Sequence, residues 1–504
     1  MGEVIGERAV MPLRSVMRAA LLGGSMLACP SLALAQSAPV ERSQPSYPSA
    51  AQSPSQPANA DGTANFSANA DDVAAAARAS TDTSGNAAST NPNTSDPNET
   101  GSILDEDLNR LNLRESMIDE RPLTRASGRD EASGVRIGTF VLRPSVSQTV
   151  NTETNSTGAD KDHRAFLETG LHGTLTSDWS LHQLTVTADG IWQRNISGSG
   201  EEQPNFTIGS DLRLDLPSDT TAHITGGYQF YREDTDDPDA ILDARQQSDV
   251  QHLSGGFSLE RDFGVLRGSG GIELDRYVYS DAELSDGTQV SQSDRNETSG
   301  ILRGRIGYEL SPAVIPFVEA LVGRGIYDDQ YDSAGYDRSN QTYGGKAGVE
   351  VDLGEKLRGE MSVGYETEHF DDPRLASIDA PTVDANINWS PQRGTNVNIG
   401  VATSIEPSTT AGEGGYTARA LSTTITHEMR DNLVASLTGS TIWRNYPSDS
   451  STEDETVYLA GVGLAWNINR YLDLITNTGY ELTSRDSGPD THQWRAGVGL
   501  KLQR

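Results

Sequence analysis

The stretch that decides the fold is "YGGKAGVEVDLGEKLRGEMSVGYE", residues 343 to 366. It reads as two alternating segments around the tight turn "GEK" at 354. In the first segment Tyr343, Gly345, Ala347, Val349, Val351 and Leu353 share one face, and Gly344, Lys346, Gly348, Glu350 and Asp352 share the other, because side chains alternate with a period of two along a strand. A soluble sandwich turns such an apolar face into its core. A membrane barrel turns it out to lipid and leaves the charges around an aqueous interior. The hairpin alone does not choose, but its surroundings do.

Connections alternate in length along the chain. One set is tight: "SDWS" at 177, "PSDT" at 217, "RDFG" at 261, "SPAV" at 311, "GEK" at 354, "PQRG" at 391, "MRDN" at 429 and "INRY" at 468. These carry the Asp, Asn, Gly and Pro chemistry of turns. The other set is longer and polar: "NTETNSTGADKDH", "SGSGEEQP", "EDTDDPDAILDARQQ", "DAELSDGTQVSQSD", "DDQYDSAGYDRS", "DDPRLAS", "EPSTTAGEGG", "NYPSDSSTEDE" and "RDSGPDT". A Greek-key sandwich gives no reason for that sorting. An up-and-down meander does, since every second connection lies at the same end of the sheet, and outer-membrane barrels combine short periplasmic turns with long outer loops. The expected fold is therefore all-β, a transmembrane antiparallel up-and-down β-barrel of about 18 strands, in the range of about 16 to 20. An even number leaves both termini in the periplasm.

The aromatic residues give an independent reading. Trp192, Tyr228, Tyr231, Tyr277, Tyr279, Tyr327, Tyr343, Tyr365, Trp443, Tyr446, Tyr458, Tyr480 and Trp494 fall toward the long-loop ends, and Phe263, Tyr308, Trp389, Trp466 and Tyr471 toward the short-turn ends. Amphipathic rings at both interfaces are the girdles of a membrane barrel. The charged face of the hairpin is then the wet one. Other segments repeat it, with Leu212, Leu214 and Leu216 against Asp211, Arg213 and Asp215, and Leu302, Ile306 and Leu310 against Arg303, Arg305 and Glu309. Phasing the segments this way nominates Arg213, Arg267, Arg303, Arg305, Lys346, Glu350, Asp352, Glu360, Glu366 and Asp473 as pore-lining. "AVIPFVEALVGRG" does not alternate cleanly, and its Pro316 suggests a bulge or a local irregularity.

Bulk composition agrees. The chain has 504 residues, only 35% of them hydrophobic, with 50 glycines and a formal charge of −33. That charge argues against a nucleic-acid or anionic-lipid binder. No stretch after the N-terminus supplies the roughly 20 apolar residues of a spanning helix.

Residues 1–35 read as a secretory signal: Arg14 and Arg18 precede the apolar run Ala19 to Ala28, and Ala33-Leu34-Ala35 forms a cleavage pattern. Met11 is a candidate alternative start. The single cysteine, Cys29, lies inside this segment, so the exported chain has no disulfide scaffold. "SMLACP" also admits a lipoprotein reading, which Met26, Leu27 and Pro30 fit poorly. Residues 36–133 form a leader. Its Ser-, Ala-, Pro- and Asn-rich part, to about residue 100, cannot bury enough apolar surface to offset chain entropy, and a short amphipathic helix is expected over 103–120. The barrel is expected over 134–504.

The leader followed by "GVRIGTFVLRPSVSQTV" at 134 to 150, with its R-I-G-x-F-x-L-x-P opening at Arg136 to Pro144, resembles the putative beta-barrel porin type 2 family. The resemblance implies an outer-membrane location and a porin role, and brings no catalytic residues. One departure is the C-terminus: "WRAGVGLKLQR" alternates through Leu502 but ends on Gln503 and Arg504 rather than on an aromatic residue, so a weaker internal assembly signal is expected.

No segment matches G-x-S-x-G, H-E-x-x-H, a P-loop or G-x-G-x-x-G, and no enzyme is expected. His223, His252 and His369 read as solvated or girdle side chains. "EDTDDPDA" and "YDDQYDSAGYD" read as solvated acidic loops rather than calcium loops, which space their ligands differently. No cofactor or metal is expected. The expected partners are outer-membrane lipid and lipopolysaccharide, the barrel assembly machinery and small hydrophilic solutes, with no nucleic acid. The expected function is a passive porin-like channel. The alternative is a non-conducting structural or surface barrel linked to envelope polysaccharide or adhesion.

Overall fold

The computed structural model describes residues 134–504, apart from 159, 199, 234–239, 242–243, 409–411, 448–449, 451 and 487. The expected signal segment, leader and short helix lie outside these residues.

Eighteen long antiparallel strands make the barrel. They are β1 (Phe140–Thr157), β2 (Asp160–Ser177), β3 (His182–Gly198), β4 (Asn205–Leu216), β5 (Thr220–Arg232), β6 (Asp249–Phe263), β7 (Leu266–Tyr279), β8 (Glu297–Tyr308) and β9 (Val314–Tyr327). The second half continues with β10 (Asn340–Asp352), β11 (Leu357–Phe370), β12 (Ile378–Gln392), β13 (Thr395–Pro407), β14 (Gly415–Arg430), β15 (Leu433–Asn445), β16 (Glu455–Asn469), β17 (Leu472–Arg485) and β18 (Thr491–Gln503). Each strand pairs with its sequence neighbours. The sheet closes where β1 meets β18, from Ser145 opposite Gln503 to Thr157 opposite Thr491. Closure leaves neither end strand with a free edge.

The opening hairpin is β10 and β11, in register from Asn340 opposite Phe370 to Asp352 opposite Arg358. Its apolar face points outward: Tyr343, Leu353, Met361, Val363 and Tyr365 are exposed on the outer surface, where lipid replaces water. Lys346, Ser362 and Glu366 are buried on the other side. The same phase runs around the barrel, with Val146, Leu171, Leu253, Ile272, Leu302, Ile306, Val318, Leu437, Val462 and Leu500 outward. Among the described residues no helix is long and apolar enough to cross a membrane. Crossing is done by strands.

The eight tight connections fall at the eight expected turns. Of the nine at the opposite end, the first departs from its reading. "NTETNSTGADKDH" is no long loop: β1 runs through its first half to Thr157 and β2 takes up its second half from Asp160, each strand 18 residues long. Its Thr-rich composition suits a strand even where both faces are polar. Nor is there a bulge at Pro316, which pairs in register with Val349. Pairing of β9 with β8 stops at Phe317 opposite Gly307, so the missing N–H of Pro316 costs no rung on that side. The broken alternation of β9 has another cause: Ile315, Phe317 and Leu321 are buried on the lumen side while Val318 and Val322 face out.

Candidate functional site

All ten nominated residues lie on the inward phase, and most of them meet one another. Arg305 on β8 donates to Glu319 on β9 at 2.7 Å and reaches Glu360 on β11 at 2.8 Å, its guanidinium 3.9 Å above the Phe317 ring. Gly348 makes the Phe317 position possible, since a Cβ there would stand 2.5 Å from Phe317 Cζ. Lys346 Nζ lies 3.0 Å from Asp384 on β12 and 3.8 Å from Glu319. Arg303 lies 3.7 Å from Glu273, and Arg267 pairs with Asp262 at 2.9 Å and reaches Glu350 at 4.0 Å. Arg213 pairs locally with Asp215, Asp352 lies 3.5 Å from Arg358, and Asp473 accepts from Asn467. Glu366 is buried, within the electrostatic reach of Lys346 and Arg303. From β6 to β12 the inner wall is thus a mesh of opposite charges in which Arg267, Arg303, Arg305 and Lys346 all meet carboxylates on other strands.

A second mesh spans the closing seam. Arg164 holds Glu153 through two bonds of 2.8 and 3.0 Å, and Arg495 of β18 lies 3.3 Å from the same carboxylate and 3.9 Å from Glu168. Both guanidinium groups face the Phe166 ring. A third joins Arg444, Glu455 and Arg485. The readings of His223 and His252 as solvated or girdle residues are corrected. His223 is buried against Asp211 at 2.9 Å, and His252 is bonded to Asp275 at 2.8 Å while stacked on Tyr277 at 4.2 Å. His369, in contrast, bonds Ser377 at the loop end. Alternation in β18 carried the signal for Arg495, one residue from the outward Trp494. Glu319 carried none, because β9 is apolar on both sides.

The girdle reading holds in part. Trp192, Tyr343, Tyr365, Trp443, Tyr458 and Trp494 face outward at the long-loop end, and Phe263, Tyr308, Trp389, Trp466 and Tyr471 at the other. Tyr231, Tyr277, Tyr279 and Tyr327 are instead buried. Tyr279 lies under Arg295 at 4.1 Å and Tyr327 under Arg338 at 4.9 Å.

Those two arginines belong to the long loops, which are tied to each other around the mouth. Arg338 donates to the carbonyls of Ser408 and Asp294, both at 2.9 Å, and lies 3.6 Å from Asp332. Asp332 in turn accepts from the Gly412 amide at 2.8 Å. Arg374 donates to Gly335 O and clasps Asp372. Ser450 donates to Glu413, and the Asp486 amide to Asp454 O. Arg295 binds Glu233, the Gln247 amide binds Glu201, and Arg164 of β2 holds Glu201 O. Gly158 packs against Pro489. Every long connection therefore touches another. Most of "EDTDDPDA" lies outside the described residues. In "YDDQYDSAGYD", Asp328 is bonded to Arg276 and Asp332 to backbone amides and Arg338. Among the described residues no three His, Cys, Asp or Glu side chains gather as a metal site.

Three loop carboxylates are acidified by an arginine. The Arg374 guanidinium and backbone amide hold Asp372 well below the usual carboxylate range. Hydrogen bonds from Arg276 and Arg324 lower Asp328 and Asp371 in the same way.

An outward apolar belt, aromatic girdles, a polar ionic interior and long loops at one end define an outer-membrane β-barrel. Residues 130–504 match the model of the family described as "Putative beta-barrel porin 2", and the chain belongs to that family. It is a porin-like protein of the outer membrane. Similar solved structures include Pseudomonas aeruginosa OccK2 (OpdF), at 10% identity and TM-score 0.37 over 72% of this chain and 98% of that one. Others are Pseudomonas aeruginosa OccK11 (OpdR), at 9% and 0.37 over 75% and 99%, and Acinetobacter baumannii OccAB4, at 11% and 0.35 over 72% and 98%. Likeness at that level carries no argument about solutes. No curated protein matches the chain.

Proposed function

We propose that the barrel is a passive channel for small hydrophilic solutes, entered through the loop ring and lined by the charge meshes. The observation that carries this is the inversion of a soluble core: Val363 and Ile306 are about three-fifths exposed on the outer surface while Lys346, Glu319 and Arg303 are turned inside. A closed barrel of 16 to 18 strands normally encloses an aqueous lumen. The ten nominated residues are proposed as pore-lining and the role as transport rather than catalysis. Acidic groups exceed basic ones along the inner wall, so cations are enriched there and favoured in transit. Delivery follows cleavage of the signal segment after Ala35, insertion uses the barrel assembly machinery, and the rim contacts lipopolysaccharide.

Purified protein in a planar bilayer tests the reading. Stepwise openings with a reversal potential favouring cations at low salt are expected. Correctly folded protein that never conducts would leave the non-conducting surface barrel, which the closely tied loop ring would then serve.

A further inference from the structure

The closing seam carries cations on its outer face as well as its inner one. Thr154 of β1 lies opposite both His163 of β2 and Trp494 of β18, and Ser156 opposite both Lys161 and His492. Residues directly opposite share a face, and Trp494 is exposed to the outside, so all of these point outward. Lys161 and His492 flank β1 and stand about 10 Å apart, two strand spacings. Arg194 of β3 shares a row with Leu167 and the outward Val150. His492 is one outward position beyond Trp494 toward the loops, and Arg194 one beyond Trp192. Because the rings mark the headgroup level, these cations lie at that level or just above it.

Elsewhere at this end the outer-face cations are matched: Arg276 clasps Asp328, Arg324 clasps Asp371, and Arg419 donates to Asn445. Lys161 and Arg194 differ. Both are exposed and make no hydrogen bond or ion pair among the described residues. The two imidazoles are aimed. Thr154 Oγ1 holds His163 Nδ1 at 2.9 Å and the Tyr480 hydroxyl holds His492 Nδ1 at 2.8 Å, so that where Nδ1 accepts from the hydroxyl, Nε2 carries the proton outward as a donor. Among the described residues no Asp or Glu takes an outward position at this end of β17, β18, β1, β2 or β3; Asp162 falls on the inward phase with Arg164. In a chain of formal charge −33 this sector leaves its cations for an anion from outside. The donors are spread from β18 to β3, which matches phosphates at separate points of one sugar head better than the single phosphate of a phospholipid.

We infer that the outer face of β18, β1, β2 and β3 at the long-loop end binds the phosphorylated sugar head of lipopolysaccharide. Lys161 and Arg194 pair with separate phosphates, His163 and His492 donate hydrogen bonds, and Trp192 and Trp494 pack where the acyl chains begin. The inference rests on the reading that the rim contacts lipopolysaccharide and gives that contact its residues. It does not depend on conduction.

The test is native mass spectrometry of the full-length protein folded in detergent and exposed to diphosphoryl lipid A, with monophosphoryl lipid A and phosphatidylglycerol as comparison lipids. A retained complex with the diphosphoryl lipid is expected, weaker retention of the monophosphoryl form, and the weakest of phosphatidylglycerol. Lys161→Gln combined with Arg194→Gln should weaken binding of the diphosphoryl lipid about tenfold, and each alone about threefold, the scale of exposed charge pairs. Arg261→Gln removes an outer-face cation at the short-turn end, 5.0 Å over Phe263, and should leave retention unchanged. If the double variant does not fold, the single variants decide. Wild-type protein that retains no diphosphoryl lipid would remove both the site and the lipopolysaccharide contact. Full retention by the double variant, or equal weakening by Arg261→Gln, would overturn the site and leave the contact standing. Equal retention of phosphatidylglycerol, lost in the same variants, would make the partner an ordinary phospholipid and overturn the inference.

Discussion

From β6 to β12 the inward side chains at mid-barrel are mainly Glu, Asp, Arg, Lys and His; from β13 to β16 they are Ala402, Ala420, Ser422, Thr424, Thr438, Ser440, Ile442, Val457 and Leu459. The backbone is the same antiparallel ladder in both walls. In the first, long side chains reach over intervening strands, as Arg305 does from β8 to β11, and each ion's position depends on several others. In the second, contacts are short-range packing, with Ala402, Ala420, Ile442 and Val457 forming one small apolar cluster against the lumen. One wall is held together by networks and the other by fit.

The sharpest way to break that distinction is Glu319→Ala. It strips both Arg305 and Lys346 of a fully buried partner, and unfolding in detergent or lipid should show a loss of about 3–5 kcal/mol. A double-mutant cycle with Arg305→Ala should return a coupling of about 0.5–3 kcal/mol. Ser440→Ala on the opposite wall should be neutral or slightly stabilising, because the buried Ser440 hydroxyl has no partner to lose. Additive behaviour in the Glu319–Arg305 cycle would deny the network.

Fit is probed by Ala420→Phe. The added ring has to displace Ile442 and Ala402, and overpacking of this kind costs about 1–3 kcal/mol in the same unfolding assay, with ion selectivity unchanged because no charge is touched. A selectivity change as large as that of Arg305→Ala would mean that the small wall controls permeation by more than packing.

The smallest effect concerns acid. Above the charged wall the loops are clasped by Asp328, Asp371 and Asp372, whose acidity is raised by Arg276, Arg324 and Arg374. A carboxylate with a depressed folded value contributes fully above its unfolded value of about 4 and loses that contribution as pH falls through the lower folded one. Pepsin should therefore spare residues 371–377 near pH 4 and nick them increasingly below about pH 3. Cleavage already complete at the milder pH would show that the clasps do not hold the loops.

The sequence declared the strand phase wherever one face was lipid, because hydrocarbon tolerates only apolar side chains and the alternation is then enforced. The tight turns were legible for a local reason, their Asp, Asn, Gly and Pro content. The inner wall was legible only as far as that alternation reached. Arg303, Arg305 and Lys346 follow from Leu302, Ile306 and Ala347 beside them, whereas Glu319 sits between Phe317, which lies under Arg305, and Leu321, which packs on Ile301, and these inward apolar side chains erase the pattern. Tyr277 and Tyr279 misled for the same reason: aromatic rings near a strand end serve lipid headgroups on one face and guanidinium or imidazole groups on the other. Which partners the charges find depends on strands far apart in sequence, and no single segment carries that information.

The seam between β1 and β18 has a kinetic meaning. Every other rung of the barrel joins neighbours in the chain, so hairpins form by closing short loops. The pairing of Ser145 with Gln503 joins the two ends of the whole sheet and has to wait until β18 exists. Loop-closure entropy grows only slowly with length, but the rate of reaching so distant a contact falls steeply. Until that moment β1 and β18 expose unpaired edges to any other strand nearby, and Arg495 has not yet met Glu153. The last step of folding is thus the one that brings together the buried guanidinium and carboxylate groups of the seam, and a lesion in either should leave hairpins intact while slowing closure.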